Sequence, residues 1–417
     1  MRKHLIVTLV AAVALLIPAA LQASGFGYYE HGAKATAMAG AFVGRADDVT
    51  AIFYNPAGIA FLEGTFINFS FHPVKPHCES TLGGISTETT TGWIPPASAF
   101  VSTNLSENVA VGFGFFVPYG LSVDWPQNWI GREISYMSAL RSYYFQPTIA
   151  FKLSEQFSVG IGLDYVRSKV EIGQKAVMSL APGLAPEIDA ALEGTGTGYG
   201  FNVGALFRAS PRFQIGFSYK SQVSIDYDGN VDFTVPSTGI ALFDAILSAT
   251  FADQSVSTTI DMPYIIVVGS MFRVTDNFNV QLDVQRTGWS CYDELAISFQ
   301  NPALDFADAG NWNDIWTYRL GFEYVMNREL SLRLGYIYDH TPILDSTLKP
   351  ILPGASRNEI TGGFGYDTLD SCCWGRVVID FALQYLWFAP RTSTYVPFPS
   401  EYKSNALILG LSFTYRF

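Results

Sequence analysis

Residues 405–417 read NALILGLSFTYRF, and this stretch decides the fold. Its large apolar side chains recur at every second position, at Leu407, Leu409, Leu411, Phe413, Tyr415 and Phe417. A period of two places these side chains on one face of a β-strand and smaller or polar residues on the other. An outer-membrane barrel needs such strands, because lipid covers one face, a polar lumen borders the other, and the last strand pairs with the first. We therefore predict that this stretch closes a transmembrane antiparallel β-barrel.

The same pattern repeats from Thr65 onward, as alternating runs joined in pairs by very short polar turns. Six such turns occur, at 106–108, 154–156, 210–212, 275–277, 327–329 and around 370–375. Longer connections separate them, at 74–92, 177–196, 235–255, 300–313 and 343–356. Six turns with a further strand at each end predict fourteen strands, with short turns in the periplasm and long loops outside the cell.

Within each run, the alternation separates residues that face lipid from residues that face the lumen. Val159, Ile161 and Leu163 form one predicted lipid-facing set, and Phe213, Ile215 and Phe217 form another. The alternate positions carry the polar side chains of the predicted lumen: Asp164, Gln214, Lys220, Gln281, Asp283, Arg319, Glu323, Arg333, Asp380 and Gln384.

The composition favours membrane-spanning strands over membrane-spanning helices. Hydrophobic residues make up 49% of the chain and charged residues 15%, below the roughly 25% charged fraction of a soluble protein. After the first two dozen residues, no apolar stretch approaches the length of about eighteen residues that a helical span needs. The net charge of −12 argues against nucleic-acid binding. The cysteines lack metal-site spacing and cannot be paired from sequence, and we expect no metal and no cofactor.

The chain divides into three predicted parts. A basic start and an apolar run over residues 5–17 predict a secretory signal peptide, residues 1–23. Residues 24–62 are rich in Ala and Gly and predict short helices: Ala33–Phe42, a restart after Asp47-Asp48, and a turn into a helix at Asn55-Pro56, where Asn55 suits the N-cap. Small side chains would let this segment fill the lumen as a hatch, inside a barrel formed by residues 63–417.

Two of the long connections carry apolar residues at helical spacing. One contains Leu180, Leu184, Ile188 and Leu192, and the other contains Phe243, Ile246, Leu247 and Phe251. Apolar helical faces outside the cell are unusual. They either pack on each other or form a site that captures a hydrophobic ligand.

Several motifs of residues 25–58 resemble one known family. Gly25-Phe26, Glu30-His31-Gly32-Ala33-Lys34-Ala35, Ala39-Gly40-Ala41, Ala46-Asp47-Asp48 and Asn55-Pro56-Ala57-Gly58 resemble the N-terminal hatch of the long-chain fatty acid transporter (FadL/TodX) family. The Asn-Pro-Ala triplet after the Asp-Asp pair is the most specific of these motifs. Residues 118–125 and 157–163 are similar to the third and fifth strands of that family.

The resemblance implies a fourteen-stranded barrel whose hatch gates the passage of a hydrophobic ligand. The predicted gating residues are Gly25, Phe26, Asp47, Asp48, Asn55, Pro56 and Ala57. It also implies capture by apolar loops and lateral exit through a gap where the third strand kinks, here at Pro118, Tyr119 and Gly120. Proline removes a ladder hydrogen bond and glycine tolerates a bend, so this placement is physically reasonable.

A fatty acid needs an apolar slot for its tail and a cation or polar group for its carboxylate, whereas an aromatic hydrocarbon needs only the slot. Lys220, Arg319 and Arg333 are the candidate carboxylate partners. The competing interpretation is that these cations form structural ion pairs with Asp164, Asp283, Glu323 or Asp380.

Three other functions compete with uptake of a hydrophobic compound such as a fatty acid or an aromatic hydrocarbon. A general porin for hydrophilic solutes would share the barrel without needing apolar loops or a hatch. A lipid hydrolase would need a nucleophile and a base, and no Gly-x-Ser-x-Gly motif accompanies His340. A structural or adhesive barrel would leave the hatch unexplained. We therefore predict a channel rather than an enzyme.

The predicted location is the outer membrane of a Gram-negative bacterium. The expected partners are a hydrophobic small molecule, outer-membrane lipid and lipopolysaccharide. We also expect the barrel assembly machinery to recognise the strand that ends at Phe417, and we expect no nucleic acid.

Overall fold

The computed structural model describes residues 25–369 and 375–417, so the predicted signal peptide lies outside the described residues. The chain forms one closed antiparallel sheet. Its strands in chain order are β1 (Thr65–Phe71), β2 (Val74–Leu82), β3 (Ile85–Glu88), β4 (Ala97–Ser106), β5 (Val109–Asp124), β6 (Met137–Lys152), β7 (Phe157–Val177), β8 (Glu187–Ser210), β9 (Phe213–Lys220), β10 (Val223–Thr234), β11 (Gln254–Met262), β12 (Ile265–Thr275), β13 (Phe278–Thr287), β14 (Glu294–Phe299), β15 (Phe306–Ala309), β16 (Ile315–Val325), β17 (Leu330–Asp339), β18 (Arg357–Asp367), β19 (Arg376–Phe388), β20 (Arg391–Thr392) and β21 (Glu401–Arg416).

These strands make fourteen crossings of the barrel wall, as predicted. Four crossings consist of two strands separated by a short break, namely β1–β2, β9–β10, β11–β12 and β13–β14, because each pair shares the same neighbouring crossings. The last strand closes the barrel, since β21 pairs with β19 on one side and with β1 on the other, where Phe413 lies opposite Phe69. The short strands β3, β15 and β20 only extend hairpins.

The two ends of the barrel differ in the length of their connections. Five of the six predicted short turns join neighbouring crossings at one end, which we call the short-turn end. The sixth, around residues 370–375, lies mostly outside the described residues. The opposite end, the long-loop end, carries the helix α3 described below and the short strands.

Two predicted irregular connections are instead largely strand. In the connection predicted at 74–92, Val74–Leu82 forms β2, whose Val74 lies opposite Ile408 of β21. In the connection predicted at 177–196, the strand β8 already begins at Glu187 and pairs with β7 and then β10. Neighbouring strands supply backbone hydrogen bonds to these residues, so both hairpins continue well beyond the lengths that the sequence suggested.

The predicted facing of the strands is confirmed by burial. Ile161, Leu163, Ile215, Phe217 and Leu282 are exposed on the outer surface. The predicted lumen residues lie on the opposite face, and these are buried: Asp164, Gln281, Asp283, Arg319, Glu323, Arg333, Asp380 and Gln384. An inward-facing charge is therefore surrounded by protein, and its partners decide its role.

Residues 25–62, which we call the inner segment, fill much of the space inside the barrel. They contain the helices α1 (Ala33–Thr36) and α2 (Ala51–Tyr54) and the 3-10 helix Pro56–Phe61. Most of the segment is buried, including Ala33, Phe42 and Ile52. Its polar backbone groups are satisfied by inward-facing side chains of the barrel, which explains how irregular chain can lie there.

The predicted helix Ala33–Phe42 is too long, because α1 ends at Thr36. The chain turns at Ala39 and Gly40, which have φ angles of 62° and 65°. Beyond the turn, the N–H groups of Phe42 and Val43 both donate to Asp283 at 2.9 Å rather than to helix carbonyls. Hydrogen bonds to the barrel therefore replace the helix.

The remaining helices lie among the loops. They are α3 (Ala241–Thr250) and the 3-10 helices Trp289–Cys291, Pro302–Leu304 and Asp345–Thr347. Over the residues that the structure describes, every helix lacks the combination of length and apolar character needed to cross a membrane.

Candidate functional site

The strand β5 is distorted at the predicted kink. Its pairing with β4 extends only as far as Phe115, and its register with β6 shifts between Phe116 and Tyr119. Pro118 lies inside this irregularity and has no N–H to donate. The outer half of β5 therefore has a free edge on the side of β4.

The beginning of the inner segment occupies this free edge. The N–H of Tyr28 donates to the Pro118 carbonyl at 2.8 Å, and the N–H of Gly120 donates to the Phe26 carbonyl at 3.0 Å. Gly27 and Tyr119 form an isolated β-bridge between them. The predicted opening residues and part of the predicted hatch are therefore in direct contact.

Tyr119 also reaches a second region of the wall. Its hydroxyl donates to the Pro263 carbonyl at 3.1 Å, in the break between β11 and β12. The neighbouring breaks occur at residues 221–222 and 288–293. Interrupted wall strands and the kinked β5 thus meet at one level of the barrel.

An aromatic cluster surrounds Phe26 at this level. The centroid of its ring lies 4.7 Å from that of Trp289, 5.7 Å from that of Trp312 and 6.0 Å from that of Tyr292. Edge-to-face packing of this kind stabilises buried aromatic rings. Gly25 has a φ of 43°, and a Cβ there would lie 2.8 Å from Trp289 and Trp312, so glycine is required beside the cluster.

A mainly apolar cavity, which we call the outer chamber, lies on the long-loop side of Phe26. Its volume is about 80 Å³. Its walls include Phe26, Leu140, Ile172, Ile260 and Leu295. Such a lining suits a hydrocarbon chain or ring.

A second cavity, which we call the inner chamber, lies beyond Phe26 and has a volume of about 40 Å³. By the same measure one water molecule needs about 10–15 Å³, so the inner chamber has room for a head group but not for a long tail. Its lining is more polar and includes Tyr29, Asp164, Gln285 and Ser221 beside the cations Lys220 and Arg319.

Two of the three predicted carboxylate partners meet in the inner chamber. The Lys220 ammonium donates to the Phe53 carbonyl and lies 4.1 Å from the centroid of the Phe53 ring. The Arg319 guanidinium donates to the Ala39 carbonyl at 3.1 Å and stacks 4.2 Å from the Tyr29 ring, while its Nε is buried without a partner. Among the described residues, neither cation has a carboxylate at ion-pair distance.

His31 borders this region from the inner segment. Its ring lies 4.2 Å from that of Phe53 and 5.6 Å from that of Phe116, and its Nε2 has no hydrogen-bond partner. Burial lowers the pKa of His31 well below its ordinary value, and nearby His72 and Lys220 act in the same direction. We therefore treat His31 as neutral at physiological pH.

The third predicted cation, Arg333, lies near the short-turn end in a buried ion-pair network. Arg333 contacts Glu323 at 2.8 Å and Asp380 at 2.6 Å. Glu323 also pairs with Arg45 of the inner segment at 2.7 Å. Arg333 therefore occupies the structural role that was the alternative for all three cations.

The predicted gating residues Asp47 and Asp48 belong to the same end. Asp47 pairs with Arg45 at 2.9 Å and with Lys34 at 2.7 Å, and Asp48 lies 3.7 Å from Lys34. A polar cavity of about 470 Å³ adjoins these charges. The inner segment thus meets polar space at one end and apolar space at the other.

The Asn-Pro-Ala triplet anchors the inner segment to the wall. Asn55 caps the 3-10 helix by accepting from the Ala57 N–H at 3.2 Å, as predicted. Its amide donates to the Val43 carbonyl at 2.9 Å and to the Ala205 carbonyl of β8 at 3.0 Å. A Cβ at Gly204 would collide with the Asn55 amide oxygen, so glycine in β8 admits this close approach.

Only one of the two predicted helical faces in the loops forms. Phe243, Ile246 and Leu247 lie on α3, and Phe251 caps its C-terminus. The prediction of a helix at 180–192 is wrong, because Leu180 and Leu184 flank a tight turn and Ile188 and Leu192 belong to β8. Ile188 is fully buried, whereas Leu242 and Ile246 of α3 are exposed.

The sequence did not single out the residues that enclose the two chambers. Trp289, Tyr292 and Trp312 lie far from Phe26 along the chain, and Asp164 was recognised only as facing the lumen. The available signal was weak: two of these rings follow Gly288, at the break after β13.

Comparison with known proteins identifies the family. A model of the family described as "Outer membrane protein transport protein (OMPP1/FadL/TodX)" matches residues 14–417. The chain is 24% identical over 343 residues to the long-chain fatty acid transport protein of Salmonella typhi, covering 78% of this chain and 77% of that protein.

Two solved structures have the same fold. A Pseudomonas aeruginosa FadL homologue superimposes with a TM-score of 0.82 at 19% identity, covering 94% of this chain and all of that one. The Pseudomonas putida toluene transporter TodX superimposes with a TM-score of 0.76 at 17% identity, covering 94% and 99%. The family model extends over nearly the whole chain, and the chain therefore belongs to the OMPP1/FadL/TodX family of outer-membrane transport proteins for hydrophobic compounds.

Proposed function

We propose that this chain is a passive channel for long-chain fatty acids. The observation that carries this choice of ligand is the pair of cations in the inner chamber. Lys220 and Arg319 face a cavity of head-group size and lack carboxylate partners among the described residues, and an apolar chamber lies next to it. A fatty acid presents the matching chemistry, an anion joined to a hydrocarbon tail.

The proposed route begins at the long-loop end, which outer-membrane barrels direct outside the cell. There the exposed side chains Leu242 and Ile246 of α3 capture the ligand, together with the neighbouring apolar loops. The ligand then enters the outer chamber and displaces the beginning of the inner segment, which acts as the hatch.

The proposed exit is lateral, at the kink of β5. Two features support this exit: β5 has lost its β4 partner beyond Phe115, and its free edge is covered only by residues 26–28 of the hatch. Release of those residues would leave Pro118 and Gly120 bordering a gap toward the membrane. An apolar tail would then enter lipid without crossing the polar cavity at the short-turn end.

Uptake by cells tests the ligand class. Cells that lack their own hydrophobic transporters would carry this chain and receive labelled oleate, toluene or a small sugar. We expect oleate entry above the empty-vector level and no gain for the sugar. Sugar entry without oleate entry would contradict the proposal and indicate a general porin.

A charge-removing variant tests the proposed carboxylate site. Loss of one hydrogen bond to a charged group costs about 1.5–3 kcal/mol, so Lys220→Met should weaken oleate binding by about tenfold to a hundredfold. Toluene binding should not change. Lys403→Met is the matched control, because Lys403 lies on β21 at the long-loop end and is half exposed. Equal oleate affinity in Lys220→Met and the control would refute the assignment.

A second candidate ligand is an aromatic hydrocarbon. The aromatic cluster around Phe26 favours it, because the benzyl side chain that the cluster encloses has the size and shape of toluene. Toluene uptake that survives Lys220→Met, with no oleate uptake in the parent chain, would select this alternative.

A further inference from the structure

Unpartnered polar atoms are concentrated in the inner chamber. Six buried side-chain atoms among its lining residues have no hydrogen-bond partner in the described part of the chain: Tyr29 OH, Tyr144 OH, Asp164 Oδ1, Gln285 Oε1, Trp289 Nε1 and Arg319 Nε. Buried polar atoms are nearly always paired in folded proteins. Their concentration indicates that the inner chamber binds a polar group that both accepts and donates hydrogen bonds.

Asp164 is the acidic member of this set. It faces inward from β7 opposite Gly200 of β8, and it is 7% exposed. It makes no hydrogen bond and no ion pair with the residues that the structure describes, although Lys220 is close enough to influence it electrostatically. An unpaired carboxylate in such a place is costly unless something supplies a proton or a donor.

Several titratable groups face Asp164 from the elements packed around it. They are Lys220 on β9, Tyr119 on β5, Tyr144 on β6, Arg319 on β16, and Tyr29 and His31 on the inner segment. The two cations attract an anionic ligand into the chamber. Asp164 repels the same ligand, because two carboxylates in one small buried site cannot both remain ionised without a large cost.

We propose that Asp164 makes the binding of a carboxylic acid proton-linked, so that the complex holds one proton between the ligand carboxyl group and Asp164. This inference rests on the proposed function, since it assumes a carboxylate ligand in the inner chamber. The proton comes from water, and the only bond formed is the O–H bond that one carboxyl group makes while the other accepts its hydrogen bond.

The consequence concerns release. A ligand that takes the shared proton with it leaves the chamber as the neutral acid, and the neutral form enters hydrocarbon far more readily than the anion. Asp164 then returns to its ionised state beside Lys220. Asp164 thus selects carboxylic acids that can be protonated, and it distinguishes them from permanently charged amphiphiles of the same length.

Counting protons on binding tests the proposal. The full chain, purified in detergent, would be titrated at pH 7.5 with decanoate, which is ionised in solution at that pH, and with 1-decanol as the uncharged ligand of equal length. Calorimetry in two buffers of different ionisation enthalpy gives the number of protons taken up. We expect about one proton per decanoate, none per decanol, and decanoate affinity that falls about tenfold per pH unit above neutrality.

Asp164→Asn keeps the shape of the side chain and removes its charge. We expect this variant to bind decanoate without taking up a proton and with affinity independent of pH. Glu107→Gln, in an exposed turn at the short-turn end, is the matched control and should retain the full proton uptake. A proton that is still taken up by Asp164→Asn but is lost in Lys220→Met would assign the linkage to Lys220 and overturn the proposal.

The parent chain alone also decides the matter, whether or not the variant folds. Decanoate binding with no proton uptake would overturn the role of Asp164 and leave the proposed function intact. Decanol binding with no decanoate binding at any pH would overturn the proposed fatty-acid function together with this inference.

Discussion

Removing the charge of Glu323 should loosen the inner segment at the short-turn end. Glu323 is almost fully buried and joins Arg45 of the inner segment at 2.7 Å to Arg333 of the wall at 2.8 Å. The Asn279 amide also donates to it at 3.3 Å. In Glu323→Gln the two buried guanidinium groups lose their shared carboxylate.

The structure sets the size of the effect. Breaking a buried ion pair by removing one partner costs about 3–5 kcal/mol, because the other charge stays buried. Arg45 keeps Asp47 and Arg333 keeps Asp380, so we take the lower value of about 3 kcal/mol. Since 1.4 kcal/mol is a factor of ten, opening of the segment should become about a hundredfold more frequent.

Hydrogen exchange followed by mass spectrometry measures this opening directly. Amides of residues 38–48 should exchange about a hundredfold faster in Glu323→Gln, whereas amides of β7 should be unchanged. Glu329→Gln is the matched control, because Glu329 lies in an exposed turn at the same end. Unchanged exchange at residues 38–48 in a folded Glu323→Gln barrel would refute the claim that this network holds the inner segment.

Three further changes probe the other contacts of the route. Gly204→Ala should displace the Asn55 anchor, because the new methyl group meets the amide oxygen, and protease cleavage of the inner segment should report the displacement. Phe26→Ala removes a ring whose burial is worth about 3–5 kcal/mol, so it should merge the two chambers and increase toluene binding severalfold in a fluorescence titration. Gly120→Val should lower oleate uptake while surface binding persists; a Cβ there meets nothing closer than 3.7 Å, and Gly92→Val, in equally open space, is its control.

The barrel could be predicted from the sequence because its signal is local. A period of two separates Ile161 and Leu163 from Asp164 without knowledge of any distant residue. The same local logic identified Asn55 as a helix cap, since Pro56 follows it directly. Both predictions depend only on a few consecutive residues.

The error at residues 180–192 has a physical reason. A spacing of four residues places side chains on one face of a helix, but it also places them on one face of a strand. Ile188 and Leu192 therefore fit both structures, and only the pairing of Leu192 with Ile172 of β7 decides between them. Tertiary pairing of this kind is invisible in the segment itself.

The two chambers could not be predicted for a related reason. Phe26 meets Tyr119, Trp289 and Trp312 only after the barrel has closed and β5 has shifted its register. Likewise, Lys220, Arg319 and Arg333 are equivalent inward cations in the sequence. Burial beside Glu323 and Asp380 distinguishes Arg333 from the other two, and it requires the complete strand order.

The inner segment is held by different physics at its two ends, and this difference determines which end a ligand can release. At the short-turn end, Arg45 and Glu323 hold each other through a buried ion pair, and an uncharged tail offers nothing to replace it. At the other end, Phe26 is held by aromatic rings, and a hydrocarbon ligand makes the same kind of contact with Trp289. Exchange of Phe26 for a ligand is therefore close to neutral in contact energy, whereas exchange at the ion pair would leave charges buried and unpaired. A hydrophobic compound consequently opens the segment from its beginning, beside the kink of β5, and leaves the polar end closed.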